Sequence, residues 1–156
     1  MTFTSVEQYI MYRKCVIFGD SESAAKCLDT EDPAVQQQLG RDANGYNETV
    51  WNGLRQAVAL RALTAKFTQN DTLRTLLLST GGAFLVEAAH DPVWGCGISL
   101  YSENRHDIGA WVGTNLLGFA LMEVRSALRR RLTPNKKQKC LSRWDGTLVL
   151  CFIILQ

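Results

Sequence analysis

Histidine and proline are scarce in this chain, at 2 and 3 residues in 156. His90 and His106 have no Cys or His neighbour at ligand spacing, so no structural zinc site is expected and no metal is implied. The 5 cysteines (Cys15, Cys27, Cys96, Cys140 and Cys151) are odd in number, scattered, and without a C-x-x-C pair. That pattern points to free thiols in a reducing compartment. No opening segment combines positive charge, an apolar run and a small-residue cleavage site, and a cytoplasmic location is expected. Neither G-x-G-x-x-G nor a Walker loop occurs, Gly95-Cys96-Gly97 stands alone, and no cofactor is implied. The apolar run Leu148 to Leu155 is too short to span a bilayer, which takes roughly 20 residues of helix.

Strong charge is missing as well. The formal net charge is +2, and the basic excess is local, in Arg129, Arg130, Arg131, Lys136, Lys137 and Lys139. Three arginines closing a helix complement its dipole, a simpler explanation than a nucleic-acid patch. What is present is an ordinary globular composition, 46% hydrophobic and 21% charged, in a chain long enough to close an apolar core.

Capping signals lay out the helices. Ser5-Val6-Glu7-Gln8 reads as a capping box opening a helix to about Ile17, with Val6, Ile10 and Ile17 among its apolar positions. Asp20 caps a short second helix, and Asp32-Pro33 starts a third that ends at Gly40 as a left-handed terminal residue. Asn44-Gly45 is a turn dipeptide. After Asn47, Trp51, Leu54, Val58, Ala62 and Ala65 form one stripe of an amphipathic helix. Asn70 caps a helix carrying Leu73, Leu76 and Leu77, stopped by Gly81-Gly82. Ala83 to Ala89 reads as a short strand. A last helix runs from about Asn115 to Arg131, with Leu117, Leu121, Val124 and Leu128 inward. From Thr133 a polar basic linker leads to the apolar tail, which is either a buried strand or an exposed end.

Three places could carry chemistry. Glu7 and Lys14 are seven residues apart, on one helix face and about 10 Å along the axis. A carboxylate and an ammonium on one stripe could flank a sugar ring; the alternative is a solvated face. Trp94, beside Gly95 and Gly97 in Asp91-Pro92-Val93-Trp94-Gly95-Cys96-Gly97, offers a flat platform and an approachable backbone. The alternative there is a core indole in a tight turn. The start of the last helix has free N–H groups that could bind an anion, with the Asn115 amide beside them, unless Thr114 or Asn115 merely caps it. Arg41 is a candidate phosphate clamp, and Trp51 fits a core stripe as well as a ligand contact.

Taken in order, these segments resemble one family. Glu7-Gln8-Tyr9-Ile10-Met11 with Lys14 and Phe18-Gly19-Asp20 is similar to an "EQYMM…K…FGD" opening. Leu39-Gly40-Arg41 matches "LGR", Val50-Trp51 "VW", and Ala65 to Asn70 "AKFxQN". Leu76 to Gly81 matches "LLLxTG", Leu85 to Ala88 "LVEA", Asp91 to Gly97 "DxxWGxG", and Trp111 to Arg125 "WxGxNLLGxALMxVR". Jointly these are the marks of the NADAR (YbiA-like) family.

The resemblance implies an α+β domain, mostly helical with a small sheet, over residues 2–131, and an unmatched tail over 132–156. It implies an N-glycosidase acting on a small-molecule ribosyl-phosphate, such as a riboflavin-pathway intermediate, or on an ADP-ribosyl adduct. Nucleic acid is a partner only if it carries such an adduct, and no membrane is involved. The residues implied as catalytic are Glu7, Lys14 and Asp91; those implied in substrate binding are Arg41, Trp51, Trp94, Gly95, Asn115 and Gly118. Family members open with an "FSNFYP"-like strand and a second strand, which this chain, starting Met1-Thr2-Phe3, is expected to lack. Gly82 stands where the family often has Asp. The alternative reading is a non-catalytic ADP-ribose or NAD-binding module, an inactive truncated member.

Overall fold

A computed structural model of the chain describes residues 1–132 and the backbone of Leu148–Cys151. These residues divide into two compact units. Met1–Ala62 form one, and the described residues from Leu63 onward form the other. The linker from Thr133, with Lys136, Lys137, Lys139 and Cys140, lies outside the described residues, as does the end of the apolar tail beyond Cys151.

The first unit is helical. Helix α1 (Val6–Ile17) starts at Ser5, whose side chain accepts the Gln8 N–H at 3.0 Å. The Gln8 amide reaches one residue further back than a capping box requires, accepting from the Thr4 N–H at 2.8 Å. Its Nε2 also donates to the carbonyls of Cys27 and Thr30, so this buried amide ties α1 to the end of α2 (Ser21–Asp29). Asp20 caps α2 through Oδ1 and holds the Asn44 N–H through Oδ2. Helix α3 (Pro33–Arg41) begins at Asp32 as expected.

Its end differs from the expectation. Gly40 is not left-handed; it stays helical, and Asp42 closes the helix. The reason is lateral: a Cβ on Gly40 would overlap the Met11 thioether, so glycine is there to let α1 and α3 approach. Cys15, Ala24, Cys27 and Ala43 form the buried centre, with Met11, Tyr12 and Leu39 packed around them.

Helix α4 (Glu48–Gln69) opens with the Asn47 side chain accepting the Val50 N–H. The single stripe expected for it is not observed. Trp51, Val58, Ala59, Ala62, Leu63 and Phe67 are buried, whereas Leu54 and Ala65 are exposed. At 100° per residue the buried side turns by roughly 160° between Trp51 and Phe67. The helix ends in a different unit from the one it starts in, so its two ends bury different sides.

In the second unit, helix α5 (Asp71–Ser79) is capped by Asn70. Strand β1 (Phe84–Glu87) follows, shorter than the Ala83 to Ala89 expected. Helix α6 (Leu116–Leu132) buries Leu117, Leu121, Val124 and Leu128, as its periodicity indicates. β1 pairs in parallel with β2 (Leu148–Cys151), with Phe84 opposite Leu148 and Glu87 opposite Cys151. Parallel strands need a long crossover, and α6 lies within it. No helix among the described residues is long and apolar enough to cross a membrane.

Two arginines of α6 do more than complement a dipole. Arg125 is buried and donates to the Thr80 hydroxyl at 2.6 Å and the Ala83 carbonyl at 2.8 Å. Arg129 donates to the carbonyls of Leu78 and Gly81. The open carbonyls at the end of α5 and the turn into β1 are thereby satisfied by charged donors.

Asn115 locks the strand to α6. Its φ of 51° places a non-glycine residue in the left-handed region. The buried amide accepts the Glu87 N–H at 2.9 Å and donates to the Leu85 carbonyl at 3.0 Å. Asn115→Ala should destabilise the chain by about 3 kcal/mol, because two buried backbone groups lose partners and φ stays strained. Asn115→Gly should cost roughly 1 kcal/mol less, since glycine tolerates that φ. Urea unfolding of the two variants measures this; an alanine variant as stable as the glycine one would remove backbone strain from the account.

Candidate functional site

The candidate residues fall into two groups, one in each unit. In the first unit, α1 carries Glu7 and Lys14 on one face, and burial differs between them. Lys14 is buried, only 9% exposed, while Glu7 is half-buried. The Lys14 ammonium stands 4.2 Å from the centre of the Tyr46 ring and 5.6 Å from that of Trp51. Ring faces are electron-rich, so both attract the cation. Burial lowers the pKa of Lys14, Cys15 beside it pulls the value back up, and the charge of Arg41 on α3 pushes it down again. Lys14, Arg41 and Trp51 are therefore one neighbourhood, with two cations of like sign.

Trp51 is buried, so its ring does not present an open platform. Arg41 is exposed at the last residue of α3. Tyr46 belongs to this group, although nothing in the motif reading singled it out. The signal available was an aromatic residue directly after an Asn-Gly turn, which sets a side chain at a defined angle.

The chain builds this corner locally. Gly45 has φ 72°, and a Cβ there would meet the Phe18 carbonyl at 3.1 Å. The turn can therefore sit close on the end of α1, and the rings of Phe18 and Tyr46 meet edge to face at 5.3 Å.

In the second unit, the end of β1, the Asp91–Gly97 turn and the start of α6 are laced together. Asp91 Oδ1 accepts the N–H groups of Val93 and Trp94 at 2.8 and 2.7 Å. The carboxylate expected to be catalytic is thus engaged in shaping the turn that presents half-buried Trp94. Gly95 leaves no room for a Cβ, which would lie 2.7 Å from the Ala89 carbonyl. Gly118 is tighter still, its Cβ position against the Leu85 carbonyl and the Asn115 amide. In this arrangement Gly95, Asn115 and Gly118 serve close backbone packing.

The anion site expected at the start of α6 needs correction. The N–H groups of Thr114, Asn115, Leu116 and Leu117 donate to the carbonyls of Pro92, Gly95, Val93 and Trp94 at 2.8–3.1 Å. Those donors are already satisfied by the glycine turn. Neither Thr114 nor Asn115 caps the helix through its side chain: Thr114 donates its hydroxyl to the Val93 carbonyl, and Asn115 serves β1.

Glu87, at the end of β1, is a second group that the motif reading passed over. Its carbonyl accepts from Ala89 and Cys96, and its N–H is held by Asn115, so its backbone is fixed on both sides. Val86 and Ala88 belong to an apolar cluster with Cys96, Phe84 and Trp111. Strand alternation sends Glu87 to the opposite face. Burial pushes its carboxyl up to about 7.

Comparison with known proteins assigns this arrangement a family. The family model described as NADAR domain matches residues 1–129. Protein irg-1 of Caenorhabditis elegans is 35% identical over 143 residues, covering 88% of this chain and 68% of that protein. An N-glycosidase of Acanthamoeba polyphaga mimivirus is 33% identical over 124 residues, covering 79% and 73%. N-glycosidase YbiA of Escherichia coli is 34% identical over 128 residues, covering 81% and 71%. The NMR structure of Escherichia coli YbiA superposes with a TM-score of 0.66 at 31% identity, covering 87% of this chain and 73% of that one. The mostly helical architecture is therefore the YbiA-like fold.

The raised Glu87 pKa makes a prediction of definite sign. A carboxyl held above its ordinary 4.5 favours the folded state fully below that pH and loses this contribution as pH rises through about 7. Glu87→Gln should therefore gain thermal stability relative to the parent at pH 8 and much less at pH 5. Melting curves at the two pH values check it; an equal difference at both would show that Glu87 titrates normally.

Proposed function

Since the chain belongs to the NADAR domain family, we propose that it is a hydrolase of N-glycosidic bonds, acting on a phosphorylated N-riboside. The observation that carries this is the buried Lys14 ammonium, set against Tyr46 and Trp51 and two helical turns from Glu7. The names of the relatives support it, since two of them are called N-glycosidases.

Breaking a ribose–nitrogen bond leaves positive charge at the anomeric carbon and an electron pair on the departing nitrogen. Glu7 as carboxylate stabilises that charge and takes a proton from the attacking water, whose oxygen bonds to the carbon. Lys14 as ammonium gives a proton to the nitrogen. The proton on Glu7 then returns through solvent to Lys14, and the cycle closes. Arg41 supplies a second cation for the substrate phosphate. The resemblance also nominates Asp91, Trp94 and Gly95 as substrate contacts, a nomination that rests on their motif.

The substrate class is the one the family resemblance implies: a small ribosyl phosphate such as an early riboflavin-pathway intermediate, with which the name of a Vibrio vulnificus relative, a riboflavin biosynthesis protein, agrees, or an ADP-ribosyl adduct. Incubation with such N-ribosides should release ribose phosphate or ADP-ribose, detected by chromatography. Glu7→Gln should lower turnover about 10²–10⁴-fold while leaving the circular dichroism spectrum intact, the range a positioned proton-transfer group supplies. Unchanged turnover in that variant removes Glu7 from the mechanism. Binding by calorimetry with no product would instead identify a module that recognises the ribosyl phosphate without cleaving it.

A further inference from the structure

A cation taken out of water needs compensation, and Lys14 is compensated in an unusual way. The described residues give its ammonium no carboxylate partner; the ion pairs among them are Lys26 with Glu22 and Arg74 with Asp71. Its neighbours are instead two aromatic rings, Tyr46 at 4.2 Å and Trp51 at 5.6 Å. Tyr46 is the nearer, and it remains 42% exposed although it is held from several directions.

We propose that Tyr46 is a positioning residue for Lys14, and that the Phe18-Gly19-Asp20 corner and the Asn44-Gly45 turn exist to set its ring under the ammonium. Several contacts of that corner fix the backbone that carries the ring, and one touches the ring itself. Asp20 holds the Asn44 N–H at 2.9 Å, which anchors the turn to the start of α2. Gly45 takes a left-handed φ that lets the turn close against the Phe18 carbonyl. The Tyr46 N–H donates to the Ala43 carbonyl at 3.3 Å, and Phe18 meets the Tyr46 ring edge-on. Five residues from two separate segments thus fix one exposed aromatic side chain, which a solvated surface tyrosine would not require.

The contact itself does not depend on the reaction; its catalytic consequence rests on the glycosidase reading above. A ring face favours the charged amine over the neutral one, opposing the effect of burial. Among the described residues, the other titratable groups beside Lys14 are the Cys15 thiol on α1, Arg41 from α3 and the Tyr46 phenol, with Glu7 two turns away along α1. From α2 comes Cys27, which meets Cys15 rather than Lys14.

Titration of Lys14 followed by NMR of its ε-carbon in the full chain tests this, with Tyr46→Phe and Tyr46→Leu beside the parent. Tyr46→Leu should lower the Lys14 midpoint by roughly half a unit to one unit, and Tyr46→Phe, which keeps the ring, should leave it in place. The alkaline limb of kcat/KM should move toward acid in the leucine variant by the same amount. A leucine variant that titrates like the parent, or a phenylalanine variant as low as the leucine one, overturns the proposal. Should Tyr46→Leu fail to fold, the parent decides: the Lys14 ε-methylene protons must be displaced upfield by the ring, and unshifted signals overturn it. Absence of turnover in the parent counts against the glycosidase reading alone, because the NMR titration still decides Tyr46.

Discussion

An ammonium group removed from water is the constraint around which the first unit is organised. Lys14 lies on the inner side of α1, where desolvation disfavours its charge and Arg41 disfavours it further. Among the described residues, ring faces stand beside it in place of a counter-ion. A carboxylate would occupy at least one of the three N–H donors of the lysine, whereas an aromatic face stabilises the cation and leaves more of them available. That combination suits the proton donor of the proposed mechanism. Two glycines of this unit bring its parts close: Gly40 lets α1 approach α3 beside Met11, and Gly45 lets the Tyr46 turn approach α1.

The second unit solves a different problem, holding a strand end, a tight turn and a helix start in fixed register. Asn115 accepts an unfavourable backbone angle so that its amide can bond both peptide groups around Val86. Four successive N–H groups at the start of α6 close onto the carbonyls of the turn bearing Trp94. Arg125 and Arg129 then fasten the far end of the helix to the turn before β1. Glycine is required at Gly95, Gly113 and Gly118 because backbones pass within contact distance there. A motif dense in Gly, Asn and Asp is thus explained largely by packing, and the hydrogen bonds of that network fix the backbone of Glu87 and of Trp94.

Much of the helical frame was legible from local chemistry. Ser5, Asp20, Asp32 and Asn70 cap the helices assigned to them, because capping depends on a side chain and the next few N–H groups. The periodicity of Leu117, Leu121, Val124 and Leu128 gave the buried face of α6 for the same reason. Elsewhere the decisive partner was remote in sequence. Gly40 reads as a helix terminator until Met11 is seen beside it. Asn115 reads as a ligand amide until Leu85 and Glu87 claim it. The stripe on α4 fails because its two ends bury different sides, which no single period describes.

From residues alone came the family, the order of elements and the pairing of Glu7 with Lys14 on one helical face, since all of these follow from motif order and local spacing. Tertiary structure alone decided which charges are buried, which donors are already taken, and that Tyr46 lies under Lys14. The physical reason is distance along the chain. Tyr46 is 32 residues from Lys14, and neither helix periodicity nor turn chemistry reaches that far; only the packing of the Asn44-Gly45 turn against the end of α1 brings ring and ammonium together.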